Sequence, residues 1–473
     1  MRTFLIRKNL NIYIIIFLSI LFLICSKNSA SSSDNGIPCR ISNPSDNSNI
    51  PKGGIIEISV DISYEKAGVS YIKFLIDDEI RLWDTESPYY FSWDTSVENP
   101  GSHSIKIIAK FEDETISEDE INITLKYVYK KPEDTGDGWE TSTLEENNVD
   151  STLIYQVMND VTPDWDFLYS ILIIRNGKLI FEEYFNGQDR DAANDIASAT
   201  KSFTSTLIGI ALKEGYLSGL DGKMLDYFPE FVTQNTDPRK LDITLRQLIK
   251  MRAGYPWDGN EILFPGIYSS SNWIEYMINI PLERDPGTGW DYSSGSTHIM
   301  SAILTKVTGM STRDFAQTYL FGPVGIDIRY WPQDPQGYYF GHADIWMTPR
   351  NMAKLGYLYL QDGIINGERI LPENWVQEAT EFYSVMPYGD GIIFRRWGYG
   401  YFWWLWNVRG KKVFFAQGQG GQFILVIPEL NAVIVLTAKT QVISNSNLNL
   451  EVAEEQQNKL YLLLANQLIF SLK

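Results

Sequence analysis

The chain opens with three basic residues, Arg2, Arg7 and Lys8, then an almost wholly apolar run over residues 12–24, and turns polar from Ser26 to Gly36. That order predicts an export signal over residues 1–30, with an uncleaved signal acting as a membrane tether as the alternative, although the apolar run is shorter than the about 20 residues a spanning helix needs. From residue 55 the pattern changes to alternation, in IIEISVDI (55–62), VSYIKFLID (69–77), YYFSWD (89–94), HSIKIIAK (103–110) and INITLKYV (121–128). Polar turns such as Asp77-Asp78-Glu79 and Glu98-Asn99-Pro100-Gly101 separate these runs. Short alternating strands at regular spacing predict an all-β sandwich over residues 37–128, with Ile72, Phe74, Phe91, Trp93, Ile105 and Ile107 in its core. His103, beside a turn, reads as a surface residue. Residues 129–148 have no period and are rich in Pro, Gly and acids, which suits an interdomain linker.

Beyond residue 149 the periods are mixed. LYSILIIRNGKLIFEEYF (168–185) reads as two apolar strands around an Asn176-Gly177 turn. DIASATKSFTSTLIGIALKEGYL (195–217) carries a helical apolar repeat through Phe203, Leu207, Ile208, Ile210 and Leu212. VFFAQGQGGQFILVIPELNAVIVLTAK (413–439) is a strand, a Gly-rich turn and two further strands. The last segment, 452–473, has apolar positions separated by polar ones, the signature of a closing helix on a core rather than of a membrane anchor.

Composition narrows the class. Of 473 residues, 44% are hydrophobic and 14% aromatic, enough for real cores. Lys+Arg 40 against Asp+Glu 59 leaves a formal charge of −19, which excludes a nucleic-acid binder because phosphate neutralisation needs a basic surface. The two cysteines, Cys25 and Cys39, build no disulfide framework. The histidines His103, His298 and His342 are scattered without ligand spacing, so no metal is expected, and the serine chemistry below calls for no organic cofactor. Cys25, at the end of the apolar run, gives the alternative of a lipidated tether, although Ile24 stands where such a signal wants a small residue.

Candidate chemistry begins at Ser198-Ala199-Thr200-Lys201. On a helix the offset of three places Ser198 and Lys201 on one face, the hydroxyl at the N-terminus and the ammonium a turn later. A serine hydroxyl is a weak nucleophile until a neighbouring base takes its proton, and a desolvated lysine can share that task. Downstream, a Pro-Gly turn leads to Tyr292-Ser293-Ser294 before another apolar helix, and Val413 to Gln417 ends in Gly418. No G-x-S-x-G elbow is present for a Ser-His-Asp hydrolase.

The ordered trio S-x-x-K, Y-x-S and a third strand element resembles the β-lactamase-related serine hydrolases over residues 149–473. That group includes class C β-lactamases, D-Ala-D-Ala carboxypeptidases, family VIII esterases and 6-aminohexanoate-dimer hydrolases. LSGLDGKMLDYFPEF (217–231), ITLRQLIKMRAGY (243–255), MTPRNMAKLGYLYLQDG (347–363) and GYGYFWWLW (398–406) carry the same resemblance. Upstream, VSYIKFLIDDE, SPYYFSWDT and GSHSIKIIAK resemble the bacterial Ig-like modules of secreted enzymes. The implied fold is multidomain: an Ig-like sandwich, then a β-lactamase/transpeptidase-like α/β domain with an antiparallel sheet, flanking helices and an inserted helical region.

The resemblance implies a Ser198 nucleophile, with Tyr292 coupled to Lys201 taking and returning the proton and Ser294 supporting the cluster. Gln417 and Gly418 stand in the third element, and the N–H groups of Ser198 and Gln419 would form the oxyanion hole. Departures matter here. The third element usually holds Lys or His, which helps bind a substrate carboxylate, whereas this chain offers Ala416-Gln417-Gly418 or, in a second alignment, Gln419-Gly420-Gly421, neither with a charge, and the first is preferred. The expectation is therefore an ester or amide-oligomer hydrolase, with a β-lactamase or D-Ala-D-Ala carboxypeptidase as alternative. A non-catalytic cell-wall binding protein is the alternative of another class. The expected partners are a small-molecule or peptide-like ester or amide and, through the Ig-like module, a cell surface or polysaccharide. Trp403, Trp404 and Trp406 fit a pocket wall or a core equally, and Gln422 either substrate binding or a turn cap. Lys250-Met251-Arg252-Ala253-Gly254 stands where relatives often carry His-Thr-Ser-Gly, and that change has no reading from sequence.

Overall fold

A computed structural model describes residues 38–472 except 65, 162–164, 259–262, 386–396 and 441–449; the expected signal, 1–30, lies outside the described residues. The N-terminal domain contains strands β1 (Cys39–Asn43), β2 (Ser48–Pro51), β3 (Ile55–Ile62), β4 (Val69–Ile76), β5 (Glu79–Asp84), β6 (Tyr90–Asp94), β7 (Gly101–Phe111) and β8 (Ile116–Lys126). They form two sheets, β1-β3-β6 and β2-β8-β7-β4-β5. Ile58, Ile72, Phe74, Trp93, Ile105 and Ile107 fill the space between them, and Phe91 packs half-buried at the side.

The Asp77-Asp78 turn is tighter than a loop. Both residues take positive φ, 50° and 64°, as a two-residue hairpin requires. It returns the chain into β5, whose EIRLWD sequence is mostly exposed and so gives little pattern from sequence. His103 is not a surface residue. It is 3% exposed, because the β7 alternation turns it inward, where Nδ1 meets Asp77 Oδ2 at 2.6 Å and Nε2 meets the Asn99 carbonyl at 2.8 Å.

The second domain is built on a nine-stranded sheet. Its members are β9 (Glu140–Thr141), β10 (Leu168–Arg175), β11 (Lys178–Tyr184), β12 (Ser384–Val385), β13 (Gly398–Tyr399), β14 (Trp404–Val408), β15 (Lys411–Gly418), β16 (Gln422–Ile427) and β17 (Ala432–Ala438). Their order is β12-β13-β14-β15-β16-β17-β10-β11-β9. β10 and β17 pair antiparallel from Leu168↔Ala438 to Arg175↔Ala432, which joins the two ends of the domain at the centre of the sheet. Both faces are covered, so the central strands are apolar throughout rather than alternating.

On one face lie α2 (Thr200–Lys213), α3 (Leu245–Ile249), α4 (Ser294–Thr308) and α5 (Pro349–Leu360), which share a core with Leu172, Ile174, Phe414 and Ala416. On the other lie α1 (Ser151–Asp160) and α6 (Leu450–Leu463), packed with Ile171, Ile173, Val413 and Phe415. α2 is buried at every position from Thr200 to Ala211, which makes it the central helix of its layer. The chain is thus an Ig-like β-sandwich followed by a β-lactamase/transpeptidase-like α/β domain.

The segment 129–148 is laid onto the second domain instead of hanging free. Trp139 is 4% exposed in the first core and its Nε1 donates to the Arg350 carbonyl at 3.1 Å. β9 then adds a parallel edge to β11. Leu144, 2% exposed, and Tyr129, whose hydroxyl donates to the Ile180 carbonyl at 2.9 Å, pack on the second core, and these few apolar side chains leave no periodic trace in an otherwise polar stretch.

Candidate active site

Ser198 sits in a tight turn, Ala197–Ala199, that leads straight into α2. Ala197 has φ 44°, a left-handed conformation unusual for a residue with a Cβ and of the kind that clusters at active sites. The turn is held from three sides. Asp195 Oδ1 accepts from the Ala197 N–H at 2.8 Å, the Ile196 N–H donates to the Ile345 carbonyl at 2.9 Å, and Thr440 Oγ1 donates to the Asp195 carbonyl at 3.2 Å. The Ser198 N–H lies in the first turn, where no intrahelical acceptor exists.

One turn into α2, the Lys201 ammonium is 1% exposed. Nζ donates to Ser198 Oγ at 3.0 Å and to the His342 carbonyl at 2.9 Å, and it lies 4.7 Å from the centre of the Tyr292 ring. Burial pulls its pKa down to about 8, against the opposing pull of Asp258 and Asp344. Tyr292 hydrogen-bonds with the Ser198 hydroxyl, yet burial outweighs that bond and raises the phenol pKa. Ser198, Lys201 and Tyr292 are therefore brought together.

Ser294, expected to support the cluster, does so through Asp258. It opens α4, whose N-cap Ser293 accepts from the Ser296 N–H, and its own hydroxyl is turned to Asp258 rather than to Ser198. Asp258 Oδ1 accepts from the Ser294 N–H at 2.7 Å and Oδ2 from its hydroxyl at 2.6 Å. The Asp258 N–H returns a bond to the Tyr292 carbonyl at 2.9 Å. Burial raises the Asp258 pKa, and Lys201 opposes the rise. Sequence reasoning missed Asp258: it lies in no motif, and its contact with Ser294 spans 36 residues.

The third element reaches the nucleophile turn through β15. A Cβ on Gly418 would collide with the Ile196 carbonyl, so glycine is what lets the strand end approach Ser198. Gln419 follows the last ladder pair, Gly418↔Gln422, and its N–H lies beyond the ladder. The Gln417 side chain is not in the site. Its Oε1 accepts from Tyr461 Oη at 2.7 Å, because strand alternation puts Gln417 on the face opposite Ala416 and Gly418. Gln422 is fully buried and bonds both the N–H and the carbonyl of Ala438, so it braces two strands rather than facing a substrate.

Of Trp403, Trp404 and Trp406, Trp404 reaches the site, stacking on Tyr292 with centroids 5.6 Å apart and planes 23° apart. Trp403 is wholly buried beside α5 and Trp406 lies in the second core. His298 binds Asp334 at 2.9 Å, and His342, whose ring burial holds neutral, contributes its carbonyl. Asp195 is raised to about 6 by burial and by Asp344. Among the described residues no group of three or more His, Cys, Asp or Glu side chains is arranged to hold a metal ion.

A buried lysine against a serine at the head of a helix, faced by a tyrosine from a loop and flanked by a glycine-ended strand, is an arrangement that activates a hydroxyl for acyl transfer. The match to the Beta-lactamase family model covers residues 169–456, and the chain belongs to that family. Residues 39–107 match the Bacterial Ig domain model.

Among characterised relatives, the chain is similar to the 6-aminohexanoate-dimer hydrolase of Paenarthrobacter ureafaciens, 25% identical over 290 residues, or 56% of this chain and 71% of that protein. Penicillin-binding protein 4* of Bacillus subtilis (strain 168) is 26% identical over 192 residues, covering 36% of this chain but only 40% of that protein. The solved hydrolase EstCE1 shares the fold at TM-score 0.51 and 15% identity, over 66% of this chain and 98% of its own.

Proposed function

We propose that the chain is an exported serine hydrolase that cleaves an ester or amide through a Ser198 acyl-enzyme. The observation that carries this reading is the contact at 3.0 Å between the buried Lys201 Nζ and Ser198 Oγ. Lys201, with its pKa near 8, is the group that changes protonation near neutrality. Tyr292, raised by burial, rests as the neutral phenol. The roles expected from sequence are thus exchanged: neutral Lys201 takes the Ser198 proton as Oγ attacks the carbonyl carbon, and Tyr292 is the donor that passes a proton to the leaving alcohol or amine, recovering one from the Lys201 ammonium. The N–H groups of Ser198 and Gln419 hold the oxyanion. Water then attacks the acyl carbon as Lys201 accepts its proton, and Lys201 returns that proton to Ser198 Oγ as the acyl bond breaks, releasing the acid and restoring the free serine and the neutral lysine.

The uncharged third element, with Ala416 where carboxylate-binding relatives place a cation, supports an ester or amide-oligomer substrate over a β-lactam or a D-Ala-D-Ala terminus. Similarity to an amide-dimer hydrolase points the same way. Export rests on Arg2, Arg7, Lys8 and the apolar run 12–24, with Cys25 lipidation as the tethered variant, and the Ig-like domain then serves as a cell-surface or polysaccharide contact. Intact mass after incubation with a fluorophosphonate tests the nucleophile: one adduct on the wild type and none on Ser198→Ala is expected, and an equal adduct on the variant refutes it. An ester panel run beside a chromogenic cephalosporin tests the substrate class, where rapid cephalosporin turnover would overturn the ester and amide preference.

A further inference from the structure

Lys250 and Arg252, which no step above uses, point at a cavity of about 250 Å³ together with Arg246, Gln247 and Tyr383. Lys250 caps the C-terminus of α3, and Met251, with φ 55°, turns the chain so that Arg252 comes up beside it. The three cations are in unequal circumstances. Arg246 is neutralised, its Nε and Nη2 on the two Asp221 oxygens at 2.8 and 3.2 Å and its Nη1 on Tyr401 Oη at 3.1 Å.

Arg252 donates to neutral acceptors: the Tyr383 carbonyl at 3.3 Å, Ser384 Oγ at 3.2 Å and the Gly287 carbonyl. Lys250 Nζ lies 3.4 Å from the centre of the Tyr383 ring and 5.8 Å from that of Tyr401. Neither Lys250 nor Arg252 has a carboxylate within ion-pair distance among the described residues. Burial lowers the Lys250 pKa, Arg246 and Arg252 lower it further, and Glu378 and Asp221 oppose them from farther off.

This is an unusual use of charge. The chain carries 59 acids against 40 bases, yet two half-buried cations meet here without a counter-ion in contact among the described residues. Like charges brought together and partly desolvated are unfavourable unless an anion joins them. The ammonium supplies three N–H donors with no oxygen acceptor among the described residues, and the guanidinium adds a flat second face. The ring of Tyr383 fixes the ammonium at one wall, which preorganises it toward the open side.

We propose that the Lys250–Arg252 cavity is a binding site for an oxyanion group, a carboxylate or a phosphate, carried by a small ligand. Its place in the fold adjoins the tyrosine loop. Arg252 receives the Gly287 N–H on its carbonyl at 2.8 Å, and the Met251 carbonyl accepts from the Asp291 N–H at 3.0 Å, so the anion would sit behind the strand of chain that positions Tyr292. The site is separate from the Ser198 cluster and does not depend on the hydrolase reading.

Calorimetric titration of the full chain at low ionic strength, with inorganic phosphate in one arm and citrate in another, tests the site. Saturable one-to-one binding of at least one of them is expected, weakened about tenfold or more by Lys250→Met and largely kept by Lys250→Arg. Ser198→Ala should bind as the wild type does, which separates this site from the catalytic one. Binding of phosphate alone assigns a phosphoryl ligand, and binding of citrate alone assigns a polycarboxylate. No saturable binding in either arm, or equal binding by a folded Lys250→Met variant, overturns the proposal.

Discussion

Asp258 grips Ser294 with both carboxylate oxygens, one on the backbone N–H at 2.7 Å and one on the hydroxyl at 2.6 Å. The clamp fixes the start of α4 to the loop that precedes it, and with the Asp258 N–H on the Tyr292 carbonyl it closes the segment that carries the phenol. The same carboxylate opposes the fall in the Lys201 pKa. One residue thus sets both the geometry of Tyr292 and the charge balance at Lys201.

Asp258→Asn separates those two effects. The carboxamide oxygen keeps the bond from the Ser294 N–H, and its NH2 can donate to the Ser294 hydroxyl, so the fold and the loop should hold. The lost negative charge removes a pull that raised the Lys201 pKa, so the variant's ester-hydrolysis profile should reach its plateau at a lower pH than the wild type's. A profile that does not move would leave Asp258 with a structural role only.

Lys201 itself fixes the direction of the pH dependence. With its pKa lowered to about 8, only a minority of molecules hold the neutral base at pH 7. The value of kcat/KM should therefore climb about tenfold per pH unit below that midpoint and flatten above it. Lys201→Met should lose about a hundredfold to ten-thousandfold in rate, and Lys201→Arg, permanently charged, should do no better. A flat profile from pH 6 to pH 9 would exclude lysine as the proton acceptor.

Gly418→Ala tests the approach of β15 to the nucleophile. The added methyl meets the Ile196 carbonyl, which is backbone and yields only if the turn before Ser198 moves. Overpacking of this kind costs about 1–3 kcal/mol, so the variant should still fold at room temperature while its rate of fluorophosphonate labelling falls at least about tenfold, since small misplacements of reacting groups carry large rate penalties. Unchanged labelling would mean that the strand end does not help shape the site.

Trp404→Ala removes the ring stacked on Tyr292. Half-buried, it should cost less than the about 3–5 kcal/mol of a fully buried tryptophan. Thermal melting and steady-state kinetics measured together check the coupling: kcat should drop by more than the loss of folded protein explains, and Trp404→Phe should restore most of it. Equal losses in both variants would mean that the indole does something other than support the phenol.

What could be read from sequence follows the range of each interaction. Ser198 and Lys201 sit three positions apart on one helix, so their meeting is a property of local geometry, and Tyr292 was reachable because its loop carries a recognisable turn and a helix start. Asp258 was not, since its value depends on two loops docking across 36 residues. The outward turn of Gln417 was available in principle: Ala416 and Gly418 face α2, and strand alternation sends the residue between them to Tyr461. His103 misled for the opposite reason, because its neighbours looked like a turn while strand β7 had already begun at Gly101.

Trp139 provides the remaining test, because it decides whether residues 129–148 join the domains passively or belong to the second one. Its ring is 4% exposed, its Nε1 is bonded to the Arg350 carbonyl at 3.1 Å, and Arg350 in turn donates to the Glu133 carbonyl, Thr135 Oγ1 and Asp137 Oδ2 of the same segment. Trp139→Ala should destabilise the hydrolase domain by about 3 kcal/mol or more in denaturant unfolding, and it should expose residues 129–148 to limited proteolysis at protease levels that leave the wild type intact. Unchanged stability with wild-type resistance would reduce the segment to a tether. A loss of stability matched by new cleavage there shows that the second domain needs this strand and its tryptophan, and that a fragment starting at residue 149 is a weakened protein.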